Sequence, residues 1–132
     1  MTPRVLIIED ETTLAGLWAE LIAGAGFQVA LAPDARAARA HLVRETPDLI
    51  VLDTALPDAT GHALCQEIRA RAQTRATPLV MTSDCGRDID AEKGLALGAD
   101  AYLGKPFCCG DLLDAIRNLI APSRPGGGQA DG

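Results

Sequence analysis

Five short apolar runs alternate with five segments of helical period along this chain, and that alternation restricts the fold more than any other feature. Residues 4–8 (RVLII) are nearly continuous apolar, as a strand buried on both faces requires. Leu14, Leu17, Trp18, Leu21 and Ile22 then recur at helical spacing as one stripe, with Thr12 or Thr13 placed to cap the helix and Gly24 to Gly26 to end it. A second strand is read at 27–31. The second helix, at about 34–45, has a weak stripe of Ala38, His41 and Leu42 and is stopped by Pro47. Residues 48–52 (DLIVL) make the clearest strand, which ends on Asp53. The third helix, about 61–72, turns Leu64, Cys65, Ile68 and Ala72 inward. A fourth strand follows at 78–81, a fourth helix at 88–97 in spite of Gly94 inside it, and a short fifth strand at 100–103. The last helix, 110–120, carries Leu112, Leu113, Ile116, Leu119 and Ile120.

Such a (βα)5 alternation implies an α/β domain with a parallel sheet, helices on both faces and right-handed crossovers. Five units are too few to close a barrel. The sheet is therefore open and doubly wound, and ligands are expected at the carboxyl ends of its strands, where the winding reverses. This domain takes residues 1–121. Residues 122–132 (PSRPGGGQADG) have nothing to pack and read as a flexible tail or the start of a linker.

The chain has 132 residues and a net charge of −6, with 3% aromatics: Trp18, Phe27, Tyr102 and Phe107. Direct nucleic-acid binding and attachment to anionic lipid are not expected, because both need clustered Lys and Arg. No apolar run approaches the roughly 20 residues of a membrane span, and the start has no signal-peptide pattern, so a cytoplasmic location is expected. Cys65, Cys85, Cys108 and Cys109 have no CxxC spacing and read as reduced thiols, with Cys108-Cys109 at a helix start the alternative candidate for redox chemistry. Twelve residues are basic, yet only Lys93 and Lys105 are lysine.

Chemistry gathers at the strand ends. The first strand runs into Glu9-Asp10, the third into Asp53, the fourth into Thr82-Ser83-Asp84, and the fifth leads to Lys105-Pro106. Carboxylates brought close together stay ionised only if a cation joins them. A hard, oxygen-liganded divalent ion such as Mg2+ fits, since it takes one or two carboxylates, keeps several waters and accepts phosphate oxygens. Lys93 on the fourth helix reads as a solvated surface charge, and His41 and His62 as surface or packing residues.

Glu9-Asp10, Asp53 followed by Leu56-Pro57 and Gly61, residues 78–83 (PLVMTS), residues 98–102 (GADAY) and Lys105-Pro106-Phe107 together resemble the receiver domain of bacterial two-component response regulators, the chemotaxis-type single-domain regulator among them. The resemblance runs from about Arg4 to Ile120. It implies a flavodoxin-like sheet of order 2-1-3-4-5 and a signalling domain rather than an enzyme, one that assists its own phosphoryl transfer and dephosphorylation. Asp53 would be the phosphoacceptor. Asp10 would be the principal carboxylate for Mg2+ (Mn2+ an acceptable substitute), Glu9 would assist mainly through a metal-bound water, and Asp53 and the main-chain carbonyl of Ala55 would complete the protein ligands. Ser83 would offer its hydroxyl and Lys105 its ammonium to the phosphoryl group, Tyr102 would be the aromatic switch, and Pro106 would hold a cis peptide. The implied donor is a sensor histidine kinase or a histidine phosphotransfer protein. The implied output is a protein partner met by the strand-five face and its flanking helices, a face also open to homodimer formation.

Two positions depart from the family pattern. Asp84 stands where a small residue is usual, which adds repulsion near the phosphoryl group unless it turns outward. Cys108-Cys109-Gly110 stands where a capping residue is expected, so the last helix is expected to start late, near Asp111. Other classes fit less well. A haloacid-dehalogenase phosphatase needs a second Asp two residues after its nucleophile, where this chain has Ala55. Gly24-Ala-Gly26 lies at a helix end rather than between strand and helix, and there is no GxxxxGK[ST] loop. The remaining alternative is a degenerate receiver that acts by protein contact without phosphorylation.

Overall fold

The computed structural model describes residues 2–83, 88–105 and 109–120, with only the backbone described at 88–91 and 109. The strands and helices follow the sequence pattern closely: β1 (Arg4–Ile8), α1 (Thr12–Gly24), β2 (Gln28–Ala32), α2 (Ala35–Arg44), β3 (Leu49–Asp53), α3 (Gly61–Ala70), β4 (Leu79–Ser83), α4 (Asp88–Ala96), β5 (Ala101–Gly104) and α5 (Cys109–Leu119). All strand pairings are parallel, in the order β2-β1-β3-β4-β5. This is the doubly wound parallel sheet expected from the periodicity, in the flavodoxin-like strand order that the resemblance implies. Residues 122–132, Asp84, Cys85, Pro106 and Cys108 lie outside the described residues.

Period-two alternation sorts the strand side chains into two cores. Leu6, Ile8, Ile50, Leu52, Leu79 and Met81 pack with Ala38 and Leu42 of α2 and Leu64 and Ile68 of α3. On the opposite face Val5, Ile7, Leu49, Val51 and Val80 pack with Trp18 and Ile22 of α1 and Leu112 and Ile116 of α5. The central strands β3 and β4 are buried at every position, whereas edge strand β2 leaves Leu31 about half exposed. Gly94 leaves room for α4 against the sheet: a Cβ there would lie 2.7 Å from Met81 Sδ, so the methionine side chain would have to shift to admit one.

Several local expectations are corrected. The cap of α1 is Glu11, not Thr12 or Thr13; its backbone is extended and its Oε1 accepts from the Leu14 N–H at 2.8 Å. Leu17 faces solvent at 56% exposure, because the buried stripe of α1 is centred on Ala15, Trp18 and Ile22. The second strand starts and ends one residue later than expected, since register with β1 pairs Gln28 with Arg4 and Ala32 with Ile8. α3 stops at Ala70, leaving Ala72 exposed beyond it. α5 begins at Cys109 rather than near Asp111; burial of Leu112 and Ile116 favours the helix more than poor capping residues oppose it.

Arg69 ties two connections together. From α3 its guanidinium donates to the carbonyls of Thr74, Arg75 and Thr77 before β4 and of Gly98 before β5, and to Asp100 Oδ2 at 3.1 Å. The same Asp100 oxygen accepts from the Leu79 N–H at 2.9 Å. Arg69→Met should therefore lower the free energy of unfolding by about 2 kcal/mol in urea titrations, since charged donors to half-buried carbonyls are lost together. A change below about 0.5 kcal/mol would mean that water replaces the guanidinium.

Candidate functional site

The same alternation that builds the two cores continues past the strand ends. Val5 and Ile7 face α1 and α5, so Glu9 falls on that side; Leu49 and Val51 place Asp53 there, and Ala101 and Leu103 place Lys105 there. The Lys105 ammonium donates to Glu9 Oε1 at 2.8 Å and to Asp53 Oδ1 at 3.3 Å. Glu9 and Asp53 are buried and the lysine side chain is 12% exposed, so this three-centre ion pair sits in low dielectric, where removing a partner is costly. Asp10 is exposed, and Glu9, Asp10 and Asp53 each present a carboxylate oxygen within 4.8 Å of the others. An all-oxygen set of three like charges suits a hard divalent cation, so these residues fit Mg2+.

Backbone bonds hold the rim of this crevice. The Thr54 N–H donates to Thr82 O at 2.9 Å, and the Lys105 N–H donates to the carbonyl of Ser83. Glu9 Oε2 accepts from the Glu11 N–H at 3.2 Å, linking the acidic pair to the start of α1. Ala55 lies in the loop after Asp53, exposed and bridged to Thr60. Gly61 opens α3 directly over the end of β3: its N–H donates to Thr54 O at 2.8 Å, and a Cβ would collide with Asp53 O and Thr54 Cα.

Ser83 and Tyr102 lie on the other face. Met81 packs in the α2–α3 core, so Ser83 two residues on belongs to that face, as does Tyr102, which pairs in register with Met81. Ser83 pairs with Gly104, which places no side chain between it and the Tyr102 ring. The Tyr102 hydroxyl is buried without a hydrogen-bond partner, as are Thr82 Oγ1 and His62 Nε2. An orphaned buried hydroxyl is a source of strain that a rearrangement can relieve.

Sequence reading missed Asp58. It sits in the loop between β3 and α3, and its two carboxylate oxygens accept from the N–H groups of Ala35 and Arg36 at 2.9 and 3.0 Å, so the loop that follows Asp53 is fastened to the start of α2. These bonds, the Ala35 one foremost, hold the Asp58 carboxyl below its ordinary range. A depressed folded pKa adds stability above the unfolded value, and that stability disappears as pH falls through the folded one. The urea-midpoint gap between wild type and Asp58→Ala should thus be steady at neutral pH and close below about pH 4. A gap independent of pH would show that the carboxylate is not the group responsible. The signal was in plain view as Leu-Pro-Asp, but nothing local tells a turn aspartate from a cap on a distant helix. Burial pushes the Cys65 thiol up, in keeping with a reduced, unreactive core residue. His41 and His62 are half-buried.

The family model of the response regulator receiver domain matches residues 5–117. The chain belongs to that family. Curated relatives of this receiver domain include the phosphate regulon transcriptional regulatory protein PhoB of Rhizobium meliloti, 32% identical over 95% of this chain and 55% of the relative. Another is the sensory transduction protein RegX3 of Mycobacterium tuberculosis, 37% identical over 88% of this chain and 50% of the relative. The chain spans about half the length of these curated relatives. Among solved structures, the chemotaxis protein CheY4 of Vibrio cholerae superposes with a TM-score of 0.85 at 27% identity, covering 91% of this chain and all of the other. A response regulator described as putative from Chloroflexus aurantiacus gives a TM-score of 0.86 at 28% identity, over 90% and 98% of the two chains. Among the described residues no helix is long and apolar enough to cross a membrane.

Proposed function

We propose that this receiver domain takes a phosphoryl group from a histidine kinase or histidine phosphotransfer protein onto Asp53. The observation that carries the reading is the Lys105 ammonium bridging Glu9 and Asp53 at the carboxyl ends of a parallel sheet, with Asp10 completing the acidic set. Glu9, Asp10, Asp53 and the main-chain carbonyl of Ala55 would hold Mg2+, or Mn2+ in its place. When bound, the metal supplies positive charge to the phosphoryl oxygens.

An Asp53 oxygen attacks phosphorus as the bond to the donor histidine nitrogen breaks, the imidazole leaving with its electron pair. Lys105 then exchanges its pairing with Asp53 for one with a phosphoryl oxygen; a compact charge on a flexible stem suits this movement. Ser83 donates its hydroxyl to the phosphoryl group. Tyr102, on the same sheet face as Ser83 and with its hydroxyl unpartnered, follows it and changes the surface formed by β5, α4 and α5 for a protein partner or a second copy of the domain. The domain works in the cytoplasm as a signalling module rather than an enzyme on a separate substrate. Residues 1–121 form the receiver and 122–132 a tail or linker; DNA binding, where the full-length protein performs it, belongs to another segment.

The test is incubation with acetyl phosphate with and without Mg2+. One phosphoryl mass should be gained only with the metal and lost on hydroxylamine treatment, as an acyl phosphate requires. Absence of labelling in the presence of Mg2+ would favour a receiver acting by contact alone.

A further inference from the structure

Trp18 is the chain's single tryptophan, and it stands at the lysine of the candidate site. It is 3% exposed on the inner stripe of α1, and the Lys105 ammonium lies 5.6 Å from its ring centroid. That is within cation–π range, and tryptophan presents the most negative ring face of the aromatic residues. The placement follows from the alternation that carries Glu9, Asp53 and Lys105 to the α1 side of the sheet, where Trp18 belongs to the core.

The ammonium thus has carboxylate neighbours and an aromatic one. The carboxylates are groups that a divalent cation or a phosphoryl group would also engage, so their attraction for Lys105 changes as the site fills. The ring is neutral and its attraction persists. An aliphatic side chain would fill the same volume without drawing the ammonium.

We propose that Trp18 is a positioning residue for Lys105: its ring face keeps the ammonium at the mouth of the carboxylate cluster, ready for a phosphoryl oxygen when Glu9 and Asp53 are otherwise engaged. The consequence for phosphoryl transfer rests on the function proposed above, whereas the contact itself does not.

With only two lysines in the chain, selective carbon-13 labelling of lysine gives two side-chain signals, and Lys93→Arg assigns them. The Lys105 ε-methylene should be shifted upfield by the indole ring current and should stay so at saturating Mg2+; in Trp18→Leu it should move to the position of Lys93. Biosynthetic replacement of the single tryptophan by mono- and trifluorotryptophan weakens the ring face with little change in shape. Labelling by acetyl phosphate should slow in order of fluorination, about threefold to tenfold in total, at an unchanged urea midpoint. A Lys105 signal without an upfield shift, or a rate indifferent to fluorination, overturns the proposal. If the unmodified protein is not labelled at all, the phosphoacceptor reading fails, and the ring-current shift alone decides for or against the positioning contact.

Discussion

Replacing Asp53 by Asn should abolish labelling by acetyl phosphate, a fall of more than about a hundredfold to background. The amide keeps the shape of the side chain but removes the nucleophilic oxygen on which the acyl phosphate would form. The fold should survive. Lys105 retains Glu9, its nearer partner at 2.8 Å, and the repulsion relieved by removing one of three crowded carboxylates opposes the loss of the buried pairing, so the free energy of unfolding should stay within about 1 kcal/mol of wild type. Phosphoryl mass persisting in Asp53→Asn would move the acceptor elsewhere, with Asp10 and Glu9 the next residues to replace. Loss of the fold in this variant would show instead that the Lys105–Asp53 pair is chiefly structural.

The largest stability effect should come from Gly61→Ala. A new Cβ there meets main-chain atoms, the carbonyl oxygen of Asp53 and the Cα of Thr54, and main chain at the end of a fully buried strand cannot rotate away. The expected loss is about 3 kcal/mol in urea denaturation, at the upper end for overpacking. The same variant should slow labelling, since the strained peptide belongs to Asp53 itself. Gly16→Ala is the internal control. It adds the same methyl group inside α1, where a Cβ meets nothing within 4 Å, and should stabilise the protein by about 0.5–1 kcal/mol. Equal effects from the two substitutions would show that the β3–α3 connection yields to the methyl group.

Most of the architecture could be read from periodicity. A run such as residues 49–52 has no polar face, so it demands cover on both sides, and the βα alternation leaves only a doubly wound sheet to provide it. What escaped the reading was decided by contacts between distant segments. Thr12 or Thr13 is the cap expected from residue type, but capping depends on which residue has an extended backbone where the chain leaves β1, and that is Glu11. Leu17 fits the helical stripe as well as Trp18 does, and only the direction from which the sheet approaches α1 separates them. Arg69 is one of ten arginines, and nothing near it in sequence marks it as the one that gathers four carbonyls from two connections.

The fold class, the order of elements and the residue types at the strand ends are legible along the chain, because these follow from periods of 2 and 3.6 and from chemistry carried by single residues. The tertiary structure decided which of those residues meet. Glu9 rather than Asp10 takes the nearer place at Lys105, Trp18 lies at the ammonium, and Asp58 closes the start of α2, since each depends on strand register and helix approach across separations of 22 residues or more. Charge and hydropathy along a chain contain no record of such distances; packing sets them when the two faces of the sheet are covered.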